Sequence, residues 1–168
     1  MIRKKICMLG AFAVGKTSLV RRFVEDSFSD RYVTTIGVKV MKKQLTHADR
    51  DVTLMLWDLH GDDAFQTVQS SYLRGSSGLL LVADGTRAET IEVAQRLLER
   101  ATGEAELDVP FLLLINKADL KADWDLEASA LDDQLAGWTV LETSAKTGDG
   151  VEQAFEILTD LMMERDAD

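Results

Sequence analysis

The apolar residues of this 168-residue chain follow two different spacings. Residues 78–83 and 111–115 form continuous apolar runs, which are typical of strands covered on both faces. After the first run, apolar residues recur at helical spacing, as Ile91, Ala94 and Leu97 do. Strands that alternate with helices in this way predict an open, mostly parallel sheet with helices on both faces.

A polar turn at residues 47–51 joins two of the predicted strands into a hairpin, which makes one edge strand antiparallel. Two of the predicted helices begin at patterns of the capping-box type, Thr86 with Glu89 and Asp149 with Glu152. The strands are predicted at residues 2–9, 38–46, 52–58, 78–83, 111–115 and 138–142, and the helices at residues 18–25, 62–73, 86–101, 125–136 and 149–162. The prediction is therefore a six-stranded sheet in one α/β domain.

Composition narrows the class of protein. Hydrophobic residues make up 46% of the chain and only one residue is proline, so we expect a single packed domain over residues 1–168. The net charge of −10 disfavours nucleic acids and anionic membranes as partners. The single cysteine, Cys7, excludes an intrachain disulfide and fits a reducing compartment. Without a signal-peptide pattern, a membrane-length apolar run or a terminal cysteine box, the expectation is a cytoplasmic protein without a lipid anchor.

The first candidate for chemistry lies between the first predicted strand and the first predicted helix. Residues 10–17 read G-A-F-A-V-G-K-T and match the phosphate-binding P-loop. Gly10 and Gly15 accept backbone angles that a Cβ would penalise, so the loop can turn its N–H groups inward around an anion. Lys16 adds a positive charge for the terminal phosphates, and the Thr17 hydroxyl suits Mg²⁺. A chance Gly-Lys-Thr turn is the alternative, which the strand and helix on either side disfavour.

A second motif, N-K-A-D at residues 116–119, follows the strand predicted at 111–115. The Asp119 carboxylate only accepts hydrogen bonds, and guanine offers two adjacent donors where adenine offers an acceptor. Asn116 can tie this loop to the P-loop, while the Lys117 stem can lie along the base. Residues 143–146, T-S-A-K, follow the last predicted strand and offer a backbone N–H to the guanine oxygen. Alone the N-K-x-D motif is weak, but behind a P-loop it indicates a guanine-nucleotide site.

With these motifs in this order, the chain resembles the small GTPases of the Ras superfamily over essentially its whole length. It is nearer to Rab and Rho than to Arf, and its form is similar to lipid-free members found in some bacteria. The resemblance implies a P-loop G domain that binds GTP or GDP with Mg²⁺ and acts as a molecular switch. It also implies a monomer whose switch loops, residues 28–37 and 58–74, meet effectors, an exchange factor or an activating protein.

The resemblance also implies roles for individual residues. Thr17 and Thr35 would ligate Mg²⁺, and Asp58 would hold the metal through water. The Gly61 N–H would contact the γ-phosphate, and Tyr32 would cover the phosphates, while Phe28 would pack against the guanine edge. The catalytic residues are predicted to be Lys16, Thr35, Gly61 and Asp62. The predicted nucleotide-binding residues are Gly10, Ala13, Val14, Gly15, Lys16, Thr17, Ser18, Phe28, Tyr32, Thr35, Gly61, Asn116, Lys117, Asp119, Ser144, Ala145 and Lys146.

Two residues depart from the family pattern. Asp62 stands directly after Gly61, where relatives usually carry the Gln that orients the attacking water. An ionised carboxylate there would repel the γ-phosphate and predicts slow hydrolysis, unless a raised pKa lets Asp62 act as a base. Phe12 brings a bulky ring to the P-loop, which obstructs a partner's arginine or else shields the phosphate from water. The alternatives are therefore a non-hydrolysing, GTP-locked interaction module and, from another class, a P-loop kinase or ATPase, for which the sequence shows no acceptor site or lid.

Overall fold

The computed structural model describes residues 1–29, 38–59 and 70–168. Six strands in these residues form one sheet, in the order β2-β3-β1-β4-β5-β6. All neighbouring strands run parallel except β2 and β3, which are antiparallel. This arrangement confirms the predicted sheet with its antiparallel edge strand. The strands are β1 (Ile2–Gly10), β2 (Val38–His47), β3 (Arg50–Leu59), β4 (Gly78–Asp84), β5 (Phe111–Asn116) and β6 (Val140–Glu142).

The helices lie in the connections between the strands. They are α1 (Lys16–Glu25), α2 (Ser70–Leu73), α3 (Glu89–Gly103), α4 (Ala128–Gln134) and α5 (Val151–Ala167), with a short 3₁₀ segment at Ala118–Asp123. The predictions at residues 125–136 and 138–142 were too long at one or both ends, because their surface residues carry little periodic signal. Of the helix predicted at residues 62–73, only α2 lies in the described part. None of the helices in the described ranges combines the length and hydropathy needed to cross a membrane.

Each face of the sheet carries its own hydrophobic cluster. On one face, α1 and α5 cover the sheet, and the rings of Phe23 and Phe155 stack with centroids 3.9 Å apart. On the other face, α3 buries Ile91 and Ala94 against the same central strands. Every residue of β4 is buried, as its continuous apolar run predicts. This two-sided packing confirms the predicted helices on both faces and fixes the strand ends from which the motifs emerge.

A two-residue turn closes the hairpin of β2 and β3. Ala48 and Asp49 have φ angles of 47° and 61°, and His47 pairs with Arg50. Two successive positive φ values match the right-handed twist of the flanking strands. The predicted polar turn is thus confirmed.

Both predicted capping boxes are wrong. Ala88 precedes α3 in the capping position without a side-chain bond, and the Thr86 hydroxyl instead donates to Asp84 Oδ1 at 2.7 Å. The buried carboxylate competes successfully for Thr86. Before α5 the capping residue is Gly150 with a φ of 74°, where a Cβ would lie 2.4 Å from the Glu142 carbonyl oxygen. Close backbone approach, and not a capping side chain, decides how α5 begins.

Candidate nucleotide-binding site

The P-loop leaves the end of β1 and runs into α1, and its two glycines are needed for different reasons. Gly15 has a φ of 103°, and a Cβ there would lie 2.3 Å from Asn116 Nδ2. At Gly10 the backbone angle is not the reason, because the residue is extended in β1; a Cβ would lie 2.4 Å from the Val82 carbonyl oxygen. Ala13 takes a φ of 59°, a left-handed conformation that few residues other than glycine adopt. The sequence predicted the glycines but assigned Gly10 the wrong role.

Lys16, the first residue of α1, folds back over the P-loop. Its side-chain amine donates to the carbonyl oxygens of Gly10 and Ala11, each at 3.1 Å, and the residue is only 6% exposed. Burial lowers the pKa of Lys16 to about 8; the Asp58 charge opposes this shift and the Arg87 charge adds to it. A buried cation bonded to carbonyl oxygens is stabilised further when an anion binds beside it. The loop is therefore suited to bind a phosphate.

Thr17 and Asp58, two of the three predicted metal ligands, lie together. The Thr17 hydroxyl donates to Asp58 Oδ2 at 2.5 Å, and Asp58 is 2% exposed at the end of β3. A hydroxyl beside a carboxylate fits Mg²⁺, which is bound through few protein oxygens together with waters and phosphates. No cluster of three His, Cys, Asp or Glu side chains suited to a metal occurs in the described ranges. Thr35, the third predicted ligand, lies outside the described residues.

Asn116 connects three loops: the P-loop, the N-K-A-D loop and the loop at residues 143–146 after β6, called the last loop below. Its Nδ2 donates to the Val14 carbonyl at 2.9 Å, as predicted for a tie to the P-loop. Its Oδ1 accepts from the Thr143 hydroxyl at 3.2 Å and from the Ala145 N–H at 3.3 Å. The side chain is buried, and one amide thereby aligns the ends of β1, β5 and β6.

Asp119 is positioned by the last loop. Its Oδ1 accepts from the buried Ser144 hydroxyl at 2.7 Å, and Ser144 in turn accepts from the Thr147 N–H at 3.1 Å. The Ala118 N–H bonds the Thr143 carbonyl at 3.0 Å, which holds the two loops side by side. Asp119 itself is exposed, so its carboxylate is accessible to a ligand.

Lys117 is held at both its backbone and its side chain. It has a φ of 71°, and its carbonyl accepts from the indole N–H of Trp124 at 2.9 Å. The Trp124 ring lies against Gly85, where a Cβ would come within 2.0 Å of it. The Lys117 amine lies 2.7 Å from Asp84 Oδ2. The backbone and the amine of Lys117 are thus held by Trp124 and Asp84, two residues that the N-K-x-D pattern does not include.

Asp84 is the centre of a charged cluster at the end of β4. It is 0% exposed, and its Oδ2 pairs with Lys117 and with Arg87 Nε at 3.1 Å. Its Oδ1 accepts from the Thr86 N–H at 2.9 Å and from the Thr86 hydroxyl. Burial alone would raise the pKa of Asp84, but the bonds from Lys117, Thr86 and Arg87 outweigh it and hold the pKa below its ordinary value. Arg87 Nη2 extends the cluster to the P-loop by donating to the Phe12 carbonyl at 2.7 Å.

Asp84, Arg87 and Trp124 contact the predicted site but were not assigned to it from the sequence. One signal was available for Asp84: a charged residue closes an apolar run at the strand end where ligands bind in such sheets. Of the remaining predicted residues, Phe28 is exposed after α1, and the Lys146 carbonyl accepts from Arg22. The predicted site residues Tyr32, Thr35, Gly61 and Asp62 lie outside the described part of the chain.

The phosphate loop, the N-K-A-D loop and the parallel sheet define a P-loop nucleotide-binding domain. The family model described as Ras family matches residues 5–164. The chain is 36% identical to Ras-related protein Rab-7L1 of Rattus norvegicus over 169 residues, which covers 95% of this chain and 81% of the relative. It is 35% identical to Ras-related protein RABD2c of Arabidopsis thaliana (92% and 78% covered) and 34% identical to Ras-related protein Rab-13 of Bos taurus (92% and 77% covered). The chain therefore belongs to the Ras family and is a small GTPase, a GTP-binding signalling switch.

Proposed function

We propose that this GTPase is specific for guanine nucleotides, binds them with Mg²⁺, and hydrolyses GTP slowly. The observation that carries the proposal is the pair of bonds that join Asn116 to Val14 and Ala145, which tie the loop that bears the exposed Asp119 carboxylate to the P-loop. Asp119 would accept from the two donors of guanine. An adenine would present an acceptor to that carboxylate instead of a donor, which disfavours it strongly.

The phosphates would take the place that the P-loop carbonyls now hold beside the Lys16 amine. Thr17 and Asp58 would hold Mg²⁺, since a hydroxyl and a carboxylate are oxygen donors of the kind this ion prefers. When bound, the ion neutralises charge on the phosphate oxygens. Thr35 and Gly61 belong to the proposed site through the family resemblance alone.

Hydrolysis joins a water oxygen to the γ-phosphorus and breaks the bond from that phosphorus to the bridging oxygen. GDP leaves, and both protons of the water end on the released phosphate. Asp62 is the reason we propose a slow rate. A glutamine at that position donates and accepts hydrogen bonds at once, whereas an ionised carboxylate only accepts and repels the phosphate.

The proposed partners are proteins that read the nucleotide state through residues 28–37 and 58–74. Effectors, an exchange factor and an activating protein are the classes that the family resemblance implies. We further propose that the chain acts as a monomer in the cytoplasm and does not use nucleic acid as a partner.

A second candidate is a GTP-locked interaction module that does not hydrolyse its nucleotide. Phe12 favours it, because this bulky residue is 36% exposed on the P-loop, where an activating arginine would approach. The two candidates differ only in the rate of the chemical step.

Single-turnover hydrolysis of bound GTP with Mg²⁺, for the wild type and for Asp62→Gln, tests the proposal. A slow wild type and a variant faster by about tenfold or more would support Asp62 as the cause of the slow rate. A competent wild type that Asp62→Gln slows would show instead that Asp62 helps to orient water. No turnover in either protein favours the locked module, and a lack of preference for GDP over ADP would overturn guanine specificity.

A further inference from the structure

Arg87 projects from a rigid turn between β4 and α3. Its N–H donates to the Asp84 carbonyl at 2.9 Å. Its own carbonyl accepts from the Thr90 N–H at 3.0 Å and from the Thr90 hydroxyl at 2.7 Å. Three bonds thus fix the backbone from which the guanidinium reaches outward, so little backbone entropy remains to be lost when the side chain meets a ligand.

The guanidinium lies against the P-loop. Nη2 donates to the Phe12 carbonyl at 2.7 Å, while the Lys16 amine donates to the carbonyl of the preceding residue, Ala11, at 3.1 Å. Two cations therefore contact consecutive carbonyls of one loop. The Arg87 side chain is 35% exposed, unlike the buried Lys16, and a guanidinium has five N–H donors, so it can also bond an anion.

The charges around the loop favour an added anion. Asp84 contributes one negative charge, which Lys117 and Arg87 share. Lys16 adds a third cation, and the Asp58 charge that acts on Lys16 is a second negative charge, so one net positive charge remains. Because Arg87 and Lys16 contact consecutive carbonyls of one loop, their positive charges repel each other. A surplus of positive charge at this point stands out in a chain with a net charge of −10. A polyphosphate on the loop would relieve that repulsion.

We propose that Arg87 is a phosphate-contacting residue of this site: its guanidinium leaves the Phe12 carbonyl and bonds the terminal phosphate of bound GTP. The inference rests on the proposed function and deepens it. An arginine supplied by the same chain neutralises charge that develops on the γ-phosphoryl group, as arginines in cis do in other P-loop GTPases. This arginine needs no approach past the Phe12 ring, and it acts in a site where Asp62 replaces the water-orienting glutamine.

The competing explanation is that Arg87 only fastens the P-loop to β4. The two roles predict different effects on nucleotide affinity. If Arg87 only holds the P-loop in place, it raises the affinities for GDP and GTP equally, because both occupy the P-loop. If Arg87 contacts the terminal phosphate, it raises the affinity for GTP alone. The test compares wild type, Arg87→Ala, Arg87→Lys and Arg96→Ala. The last variant removes an exposed arginine of α3, the helix that follows Arg87, as a matched loss of charge.

We would measure affinities for GDP and for a slowly hydrolysed GTP analogue in Mg²⁺, and the single-turnover rate with GTP. We expect Arg87→Ala to weaken the analogue by about tenfold or more and to slow turnover by at least as much. Its GDP affinity stays within about twofold of wild type, because GDP lacks the terminal phosphate that Arg87 would bond. Arg87→Lys retains part of the effect because it keeps the charge but not the planar fork. Arg96→Ala behaves as wild type.

Equal losses for both nucleotides, or no loss for either, would overturn the inference and leave the proposed function intact. A wild type that binds no guanine nucleotide would overturn both. Misfolding is checked by thermal unfolding of the GDP complex. In Arg87→Ala, Asp84 keeps its bonds to Lys117 and Thr86, so we expect the fold to persist.

Discussion

The N-K-A-D loop at residues 116–119, called the base loop below, has one buried polar side chain, Asn116, and one exposed one, Asp119. Asn116 bonds Val14, Thr143 and Ala145, and each of these bonds is internal to the protein. Asp119 is oriented by Ser144 through one oxygen and remains exposed. Removing a partner from a buried polar group costs about 1–3 kcal/mol, so Asn116 supports the shape of the site. Asp119, in contrast, is the residue that we propose selects the ligand.

For Asp119→Asn we expect GDP affinity to fall by about a hundredfold, while folding changes little. The neutral amide loses two charge-assisted bonds to guanine, each of which contributes about 1.5 kcal/mol or more. Displacement of a fluorescent GDP from wild type and variant measures the loss. The control is Asp132→Asn, an exposed carboxylate of α4 outside the site. If both variants bound GDP as the wild type does, Asp119 would not read the base.

Asp84 makes stability depend on pH in a defined window. Its pKa is below the ordinary value of about 3.9, so its contribution is complete above that value and is lost as pH falls toward the lower, folded-state pKa. Asp84→Asn should lower the free energy of unfolding by about 3 kcal/mol at pH 7, because two cations lose a buried partner. The difference from wild type should shrink below about pH 4.

Urea unfolding of wild type and Asp84→Asn between pH 7 and pH 3 tests this expectation. The exposed Asp132→Asn serves again as the control for loss of a carboxylate. A gap between wild type and Asp84→Asn that stays constant through this range would show that the ion pairs of Asp84 do not cause the destabilisation.

At the scale of elements, the sequence predicted what depends on neighbours along the chain. The apolar runs of β4 and β5 and the periodic residues of α3 and α5 gave the sheet and its two covered faces. The start of α3 was mispredicted because Thr86 bonds the buried Asp84 instead of a helix N–H. The sequence did not predict the contact of Trp124 with the site, because its bond to Lys117 depends on how a 3₁₀ turn folds back over Gly85. Such contacts depend on tertiary packing, which spacing in the sequence does not report.

The 3₁₀ turn suggests a test of how the base loop keeps its shape. Trp124→Phe keeps an aromatic ring against Gly85 but removes the N–H that bonds the Lys117 carbonyl. One lost bond of this kind costs about 1 kcal/mol, so we expect GDP to dissociate about fivefold faster. Trp138→Phe is the matched control. Trp138 packs edge-on against Phe111, with ring centroids 5.1 Å apart, and Phe111 is at the start of β5, at the opposite end of the strand from the N-K-A-D motif. Equal dissociation rates in wild type and Trp124→Phe would contradict the proposed support.

At the scale of the whole molecule, the candidate site joins parts that the chain keeps far apart. The P-loop follows β1, Asp58 lies next to the last residue of β3, Asp84 ends β4, and the base loop follows β5. The parallel sheet brings these ends to one edge, where ligands bind in open α/β sheets. A ligand that bridges them should therefore stabilise the entire fold, and not only the loops it contacts.

We expect Mg²⁺ to bind between the start of α1 and the end of β3, at Thr17 and Asp58. For the GDP complex of the wild type, we expect EDTA to lower the Tm by about 3 °C or more. A tenfold loss of affinity is worth about 1.4 kcal/mol, and about 1 kcal/mol shifts the Tm of a domain this size by about 2–4 °C. Thr17→Val keeps the shape of the side chain but removes the hydroxyl that donates to Asp58. In this variant GDP should still raise the Tm, since Lys16 and the P-loop are intact, but EDTA should change it little.

Thr102→Val, which alters an exposed threonine of α3, controls for the substitution itself and should respond to EDTA as the wild type does. Comparing Thr17→Val with Thr102→Val separates two explanations of an EDTA effect on the Tm. If Mg²⁺ acts between Thr17 and Asp58, only Thr17→Val loses its sensitivity. If the ion binds elsewhere on this acidic chain, all three proteins lose the same number of degrees, and the assignment of Thr17 and Asp58 as the metal site is wrong.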